Sequence, residues 1–158
     1  MSKIAPCLWF KDEAEEAARF YCSLLPDSRI DHVQENVTDS PSGKAGSVLV
    51  VAFTLAGSRS LAINGGERLE YTHVISFHVD CADQAEVDRL WDKLSAGGSP
   101  VQCGWLKDLY GVSWQIVPSI LPKLLADPDQ AKAKRVMEAL MKMIKLDVAG
   151  LQRAFDGA

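Results

Sequence analysis

RFYCSLL, residues 19–25, has a counterpart in RLWDKLS, residues 89–95: at an offset of 70, Phe20 falls on Leu90, Tyr21 on Trp91 and Leu24 on Leu94. In both stretches bulky apolar groups recur at helical spacing, so each reads as the end of an amphipathic helix. Upstream of the first lies KIAPCLWF (3–10), an alternating segment rich in bulky side chains, which predicts a strand. Its residues Ala5–Phe10 fall on Val74–Val79 at an offset of 69. A strand followed by a helix therefore occurs twice, in matching positions. Two similar units of this kind usually pack to complete one another's sheet.

The rest of each unit follows the same order. DEAEEAARFYCSLL (12–25) predicts the first helix, with Asp12 as its N-cap and early glutamates suited to its positive end. RIDHVQEN (29–36) reads as an edge strand, VTDSPSGKAG (37–46) as a polar loop, and SVLVVAFTLAG and RSLAINGG as two strands joined by a tight Ala-Gly-Ser turn. In the second unit YTHVISFHVD (71–80) predicts a strand. CADQAEVDRLWDKLSAGG (81–98) predicts a helix stopped by a glycine pair. SPVQCGWLKD and YGVSWQIVP supply extended segments. The expected fold class is α+β, with a domain over residues 1–118 made of two βαβββ modules, about 1–68 and 69–118. A helical extension over 119–158 belongs to the same domain or to a dimer contact. In it, Asp127 or Asp129 caps a helix that lines up Val136, Leu140 and Met143, with Met137 and Ile144 beside them.

Composition narrows the function. A chain of 158 residues with net charge −4 lacks the basic balance that nucleic-acid phosphates require. No apolar run approaches the length that spans a bilayer. MSKIAPCLWFKDEAEE turns acidic too early for a signal peptide. Four cysteines, Cys7, Cys22, Cys81 and Cys103, show no C-x-x-C pairing, so reduced, inert thiols and a cytoplasmic location are expected.

Strand alternation sorts the side chains into faces. Pro6, Leu8 and Phe10 form one uniformly apolar set, and Ile75, Phe77 and Val79 another; both are expected beneath the helices. The mixed sets are Ala5, Cys7 and Trp9; Ala62 and Asn64; Val74, Ser76 and His78; and Ser113, Gln115 and Val117. They are expected to face a cavity, giving a cup lined by Trp9, Asn64, Ser76, His78 and Gln115. An apolar wall with a few polar handles is the usual make-up of a small-molecule site. Each residue also has a plainer role: Gln115 as a structural amide, Asn64 as a turn former before Gly65-Gly66, His78 as a solvated strand residue, Trp9 as cavity wall. Asp108 with Tyr110-Gly111 reads as a turn.

The segments PCLWF, EEAARFY, LAINGG, ISFHVDC and CGWLKDLYGVSWQIVP, in this order, resemble the PhnB-like branch of the vicinal oxygen chelate superfamily. That superfamily includes glyoxalase I, extradiol dioxygenases and bleomycin-resistance proteins, and the branch also carries the name 3-demethylubiquinone-9 3-methyltransferase. The resemblance covers nearly the whole chain. It implies two βαβββ modules forming a curved sheet around a cleft, usually as a homodimer. Metal-dependent members place His, Glu, His and Glu on the first and last strands of the modules. The matching positions here hold Ala5, Asn64, Val74 and Gln115, of which none is a good ligand for a divalent cation. No metal and no cofactor are therefore expected. The name methyltransferase finds no G-x-G-x-x-G turn after a strand.

Three functions compete. The first is a metal-independent enzyme with His78 as general base and the Asn64 and Gln115 amides steadying an oxyanion. The second is a non-catalytic protein that sequesters a small molecule. The third is a metal-dependent lyase or dioxygenase with unusual ligands, for which His73, His78 and Cys7 are the donors to examine. The expected partners are a small-molecule ligand and a second copy of the chain.

Overall fold

Cys7–Phe10 (β1) runs parallel to Ser58–Asn64 (β4), with Leu8 beside Ala62 and Phe10 beside Asn64. The computed structural model that shows this pairing describes residues 3–158. Around it lie the helix Ala14–Leu24 (α1) and the strands Arg29–Glu35 (β2) and Val48–Leu55 (β3). The sheet order is β1-β4-β3-β2, which makes β1 and β2 the edge strands. Ala56 and Gly57 join β3 to β4 in a two-residue turn with φ of 46° and 77°. Positive φ at both centres is the hairpin geometry whose twist matches that of the strands.

The second unit repeats this arrangement. Phe77–Cys81 (β5), Gln84–Ser95 (α2), Ser99–Pro100 (β6), Trp105–Lys107 (β7) and Ser113–Pro118 (β8) form a sheet of order β5-β8-β7-β6. Its first and last strands are again parallel and its other pairings antiparallel. The two units, Met1–Glu70 and Tyr71–Ala158, are thus two βαβββ modules.

In each unit the helix covers one face of its sheet. Ala14, Ala17, Ala18, Tyr21 and Leu24 of α1 are buried with Leu8, Phe10, Val51, Phe53, Leu55 and Ala62. On α2 the buried stripe is Val87, Leu90, Trp91 and Leu94, so Tyr21 and Trp91, and Leu24 and Leu94, occupy matching places as their offset requires. Asp83 caps α2 by accepting the N–H of Glu86, whose carboxylate accepts the N–H of Ala82 in return. This reciprocal pair resembles a capping box.

The C-terminal helices Ile120–Leu125 (α3), Gln130–Leu140 (α4) and Val148–Asp156 (α5) pack within the second unit around Val117, Leu121, Leu124, Val136, Leu146 and Leu151. Asp129 caps α4, accepting N–H groups of Ala131 and Lys132. The helix stops at Leu140, and the chain then pairs back: Cys103 and Gly104 donate to the carbonyls of Met143 and Ile144. Among the described residues no helix is long and apolar enough to cross a membrane.

Four expectations are corrected. Asp12 does not cap α1; the acceptor for Ala14 N–H is Asn64, from across the sheet. The strand expected from Val74 begins only at Phe77, where pairing with β8 starts, and Ile75 is 78% exposed rather than beneath a helix. Val117 shares its strand face with Gln115, yet it is buried in the core formed with α3, α4 and α5. Asn64 shares its face with Phe10 and not with Trp9, and it borders a cleft with Asp12, Glu15, Lys44 and Val48 instead of one that Trp9 lines.

Candidate functional site

On β8 the side chains of Trp114 and Ile116 turn toward α2 and are fully buried, with the Phe77 ring 4.8 Å from that of Trp114. Alternation therefore sends Ser113 and Gln115 to the other face. The parallel register sets His78 beside Gln115, and the antiparallel register sets Trp105 on its other side. A row His78–Gln115–Trp105 crosses three strands. One step along, Lys107 lies opposite Ser113.

The segment 71–76 runs along this face and is held to it by side chains. Lys107 Nζ donates to Tyr71 carbonyl at 3.0 Å. Ser113 Oγ lies 2.8 Å from His73 Nδ1, and Gln115 Nε2 donates to Ser76 Oγ at 2.9 Å. The His73 ring meets Trp105 edge-on, with centroids 5.6 Å apart. Ser113 is buried beneath this segment, Gln115, Trp105 and Lys107 are half-buried, and His78 is exposed. Among the described residues, Gln115 Oε1, Trp105 Nε1 and the His78 ring meet no hydrogen-bond partner. The face thus presents free acceptors, free donors and an aromatic surface.

Three of the residues picked from sequence, Ser76, His78 and Gln115, come together here. Trp9 and Asn64 belong to the other unit and lie on opposite faces of its sheet. Trp9 Nε1 donates to Glu67 carbonyl at 2.9 Å, and its ring lies against Gly65 so closely that a Cβ there would stand 1.8 Å from Cζ2. Asn64 receives Ala14 N–H at 2.8 Å and donates to Val48 carbonyl at 3.0 Å. Alternation alone set it beside Trp9, since the register of β1 against β4 is not visible within either strand. Lys107 and Trp105 were missed as site residues, Ser113 was set on the cavity face but not among the cup residues, and His73 was named only as a metal donor. The alternation of Trp105-Leu106-Lys107 against β8 carries the signal for the first two. His73 reaches the face only because the chain before Phe77 is not a strand.

Three of the four thiols are held protonated. Burial, with Glu86 and Asp80 nearby, pushes Cys81 up to about 12, and burial also raises Cys7 and Cys22. A thiol held protonated reacts slowly. Cys103 Sγ sits 3.6 Å from Leu140 carbonyl.

Two βαβββ modules with this strand order define the class, and comparison with known proteins adds the family. The chain belongs to the 3-demethylubiquinone-9 3-methyltransferase family, whose model matches residues 2–117. A PhnB protein from Bacillus cereus is 33% identical over 74% of this chain and 99% of its own, with a TM-score of 0.68. Protein PA1353 from Pseudomonas aeruginosa is 19% identical over 75% of this chain and 98% of its own, with a TM-score of 0.56, and shares the fold. No curated protein matches the chain.

Neither group that the names imply fits the residues present. A nucleoside-type methyl donor is usually cradled by a Gly-rich turn from strand to helix. Here those turns are Lys11-Asp12-Glu13 and Ala82-Asp83, and the Glu13 carboxylate itself takes the N–H groups of Lys11 and Asp12. At the superfamily's metal positions, Ala5 and Val74 have no donor atom. The Asn64 amide is turned to α1, and the Gln115 amide is neutral.

Proposed function

We propose that the protein binds a small organic molecule on the open face of the second sheet, with no resident metal. The row His78–Gln115–Trp105 carries this reading: it offers an imidazole, an amide oxygen and an indole side by side, each with free hydrogen-bonding capacity. An aromatic surface with a few convergent polar groups is the usual make-up of a small-molecule site. The test is a fragment screen followed by the indole and amide NMR signals of Trp105 and Gln115. Fragments that bind but leave both signals unmoved would sink the proposal.

His78 favours a catalytic form of the same reading. Its exposed ring lies next to an amide, and imidazole is the side chain best suited to proton transfer near neutral pH. His78→Gln should then abolish turnover of any substrate found while leaving its binding within a few-fold. Pure sequestration predicts no turnover by either protein and only a modest change in affinity.

A homodimer is part of the proposal. Met137, Met141 and Ile144 on and after α4 are 43%, 54% and 55% exposed, an apolar surface that a second copy would cover. Light scattering at micromolar concentration returning the monomer mass of 17.3 kDa would count against it.

A further inference from the structure

The face described above has an uneven charge. Lys107 is half-buried, and its ammonium donates to one neutral partner, the carbonyl of Tyr71. An ammonium has three N–H donors, so two remain. Among the described residues it forms no ion pair. Two carboxylates on or beside these strands do not pair with Lys107. Asp108 follows Lys107 but turns into the core, where it accepts the N–H groups of Tyr110 and Val112 and the indole N–H of Trp114. Asp80 lies on the face, but it pairs with Val117, whereas Lys107 pairs with Ser113. Four residues of strand separate those rows, roughly 13 Å at about 3.3 Å per residue.

The Lys107 stem packs along the sheet while its ammonium keeps two donors, which an anionic ligand would take up. The surroundings of Lys107 restrict what that anion is attached to. Trp105 lies two residues away on the same face, about 7 Å along the strand, with its indole N–H free. Beside it, Gln115 Oε1 accepts from nothing.

We propose that this face recognises a small flat acid: a carboxylate held by Lys107, on an aromatic or conjugated body that lies against Trp105 beside the Gln115 amide. The proposal rests on the reading that this face binds a ligand at all, and it adds the chemical class. It also assigns Lys107 and Trp105 as specificity residues, the first for charge and the second for shape.

Benzoate, its neutral analogue benzamide, and acetate are suitable probes. Each is titrated into 15N-labelled protein while the Trp105 indole signal is followed, assigned through Trp105→Phe. A ligand of nine heavy atoms at the lower end of ordinary efficiency binds with Kd of about 10 mM, so titration must reach that range. The expected result is saturable movement by benzoate, with Kd at least tenfold below that of benzamide, and weaker binding of acetate. Added salt should shrink the benzoate advantage. Lys107→Gln should bring benzoate to the level of benzamide, and Lys107→Arg should keep the preference, which separates lost charge from lost packing. Equal binding of benzoate and benzamide, or a preference that survives Lys107→Gln, overturns the acid-recognition proposal and leaves the binding face standing. No movement of Trp105 or Gln115 by any of the three probes overturns the flat-acid proposal too. The wider fragment screen then decides whether the face binds anything.

Discussion

Asn64 Oδ1 accepts the backbone N–H of Ala14 at 2.8 Å, joining the last residue of β4 to the first turn of α1. The first N–H groups of a helix have no partner within it. Glu13, at the cap position, makes no side-chain bond into the helix, so Asn64 does the work of a cap from 50 residues away in sequence. Both residues are buried.

Asn64→Ala should therefore cost about 1–3 kcal/mol, because it strands a buried N–H and removes the donor to Val48 carbonyl. Urea unfolding measures this. A loss below about 0.5 kcal/mol, the lower limit for an ordinary cap, would show that solvent replaces the bond.

Asp108 organises the approach to β8 by taking three N–H donors on one carboxylate. Asp108→Asn keeps the shape but turns one acceptor into a donor, so about 1–3 kcal/mol should be lost. Trp114→Phe removes the indole N–H. In a double-mutant cycle the two should couple by roughly 1 kcal/mol, since both act on the bond between Asp108 Oδ2 and Trp114 Nε1. Strict additivity would mean that this bond contributes nothing to stability.

Gly65 is required by space. An added Cβ would overlap the Trp9 ring, at 1.8 Å from Cζ2 and 2.1 Å from Cε2. Gly65→Ala should push the indole off Glu67 carbonyl and destabilise the protein by about 1–3 kcal/mol. Trp9→Leu in the same background should recover part of the loss. If Gly65→Ala unfolds at the wild-type midpoint, the ring has room that the packing does not suggest.

Asp88 and Lys145 form an ion pair at 2.8 Å that shifts both partners. Hydrogen bonds from Lys145 and Gln84 hold the Asp88 carboxyl below its ordinary range, and the bond to Asp88 raises Lys145 above 10.5. The carboxylate contributes its full stability above its unfolded value and loses it as pH falls through the lower folded value. The lysine contributes fully below its unfolded value and loses it as pH rises through the higher folded one. Asp88→Asn should flatten the stability profile on both sides, below about pH 4 and above about pH 10.5. Unfolding midpoints across pH would check this, and an unchanged alkaline limb would show that the pair is fully screened by solvent.

How much was legible differs from element to element. The repeat from Phe20 and Tyr21 to Leu90 and Trp91 was enough for two βαβββ modules, because burying a helix stripe on a sheet imposes a period visible in the residues themselves. The glycine pair 97–98 likewise announced the end of α2, a local effect of backbone freedom. The face of β8 was legible for the same reason: Trp114 and Ile116 are apolar and Gln115 is not.

Asn64 shows where that logic stops. Alternation says only that a side chain differs from its neighbours, and a polar group is as well satisfied by a helix terminus as by a ligand. Which of the two it meets depends on the register of β1 against β4, a contact between distant segments. His73 and Lys107 depended in the same way on segment 71–76 leaving the strand path and crossing the sheet. The sequence by itself determined the elements, their order and the apolar faces, since these follow from spacing within short windows. Only the tertiary structure decided which polar groups share a surface, because hydrogen-bond partners remote in sequence are chosen by the packing that brings them within 3 Å.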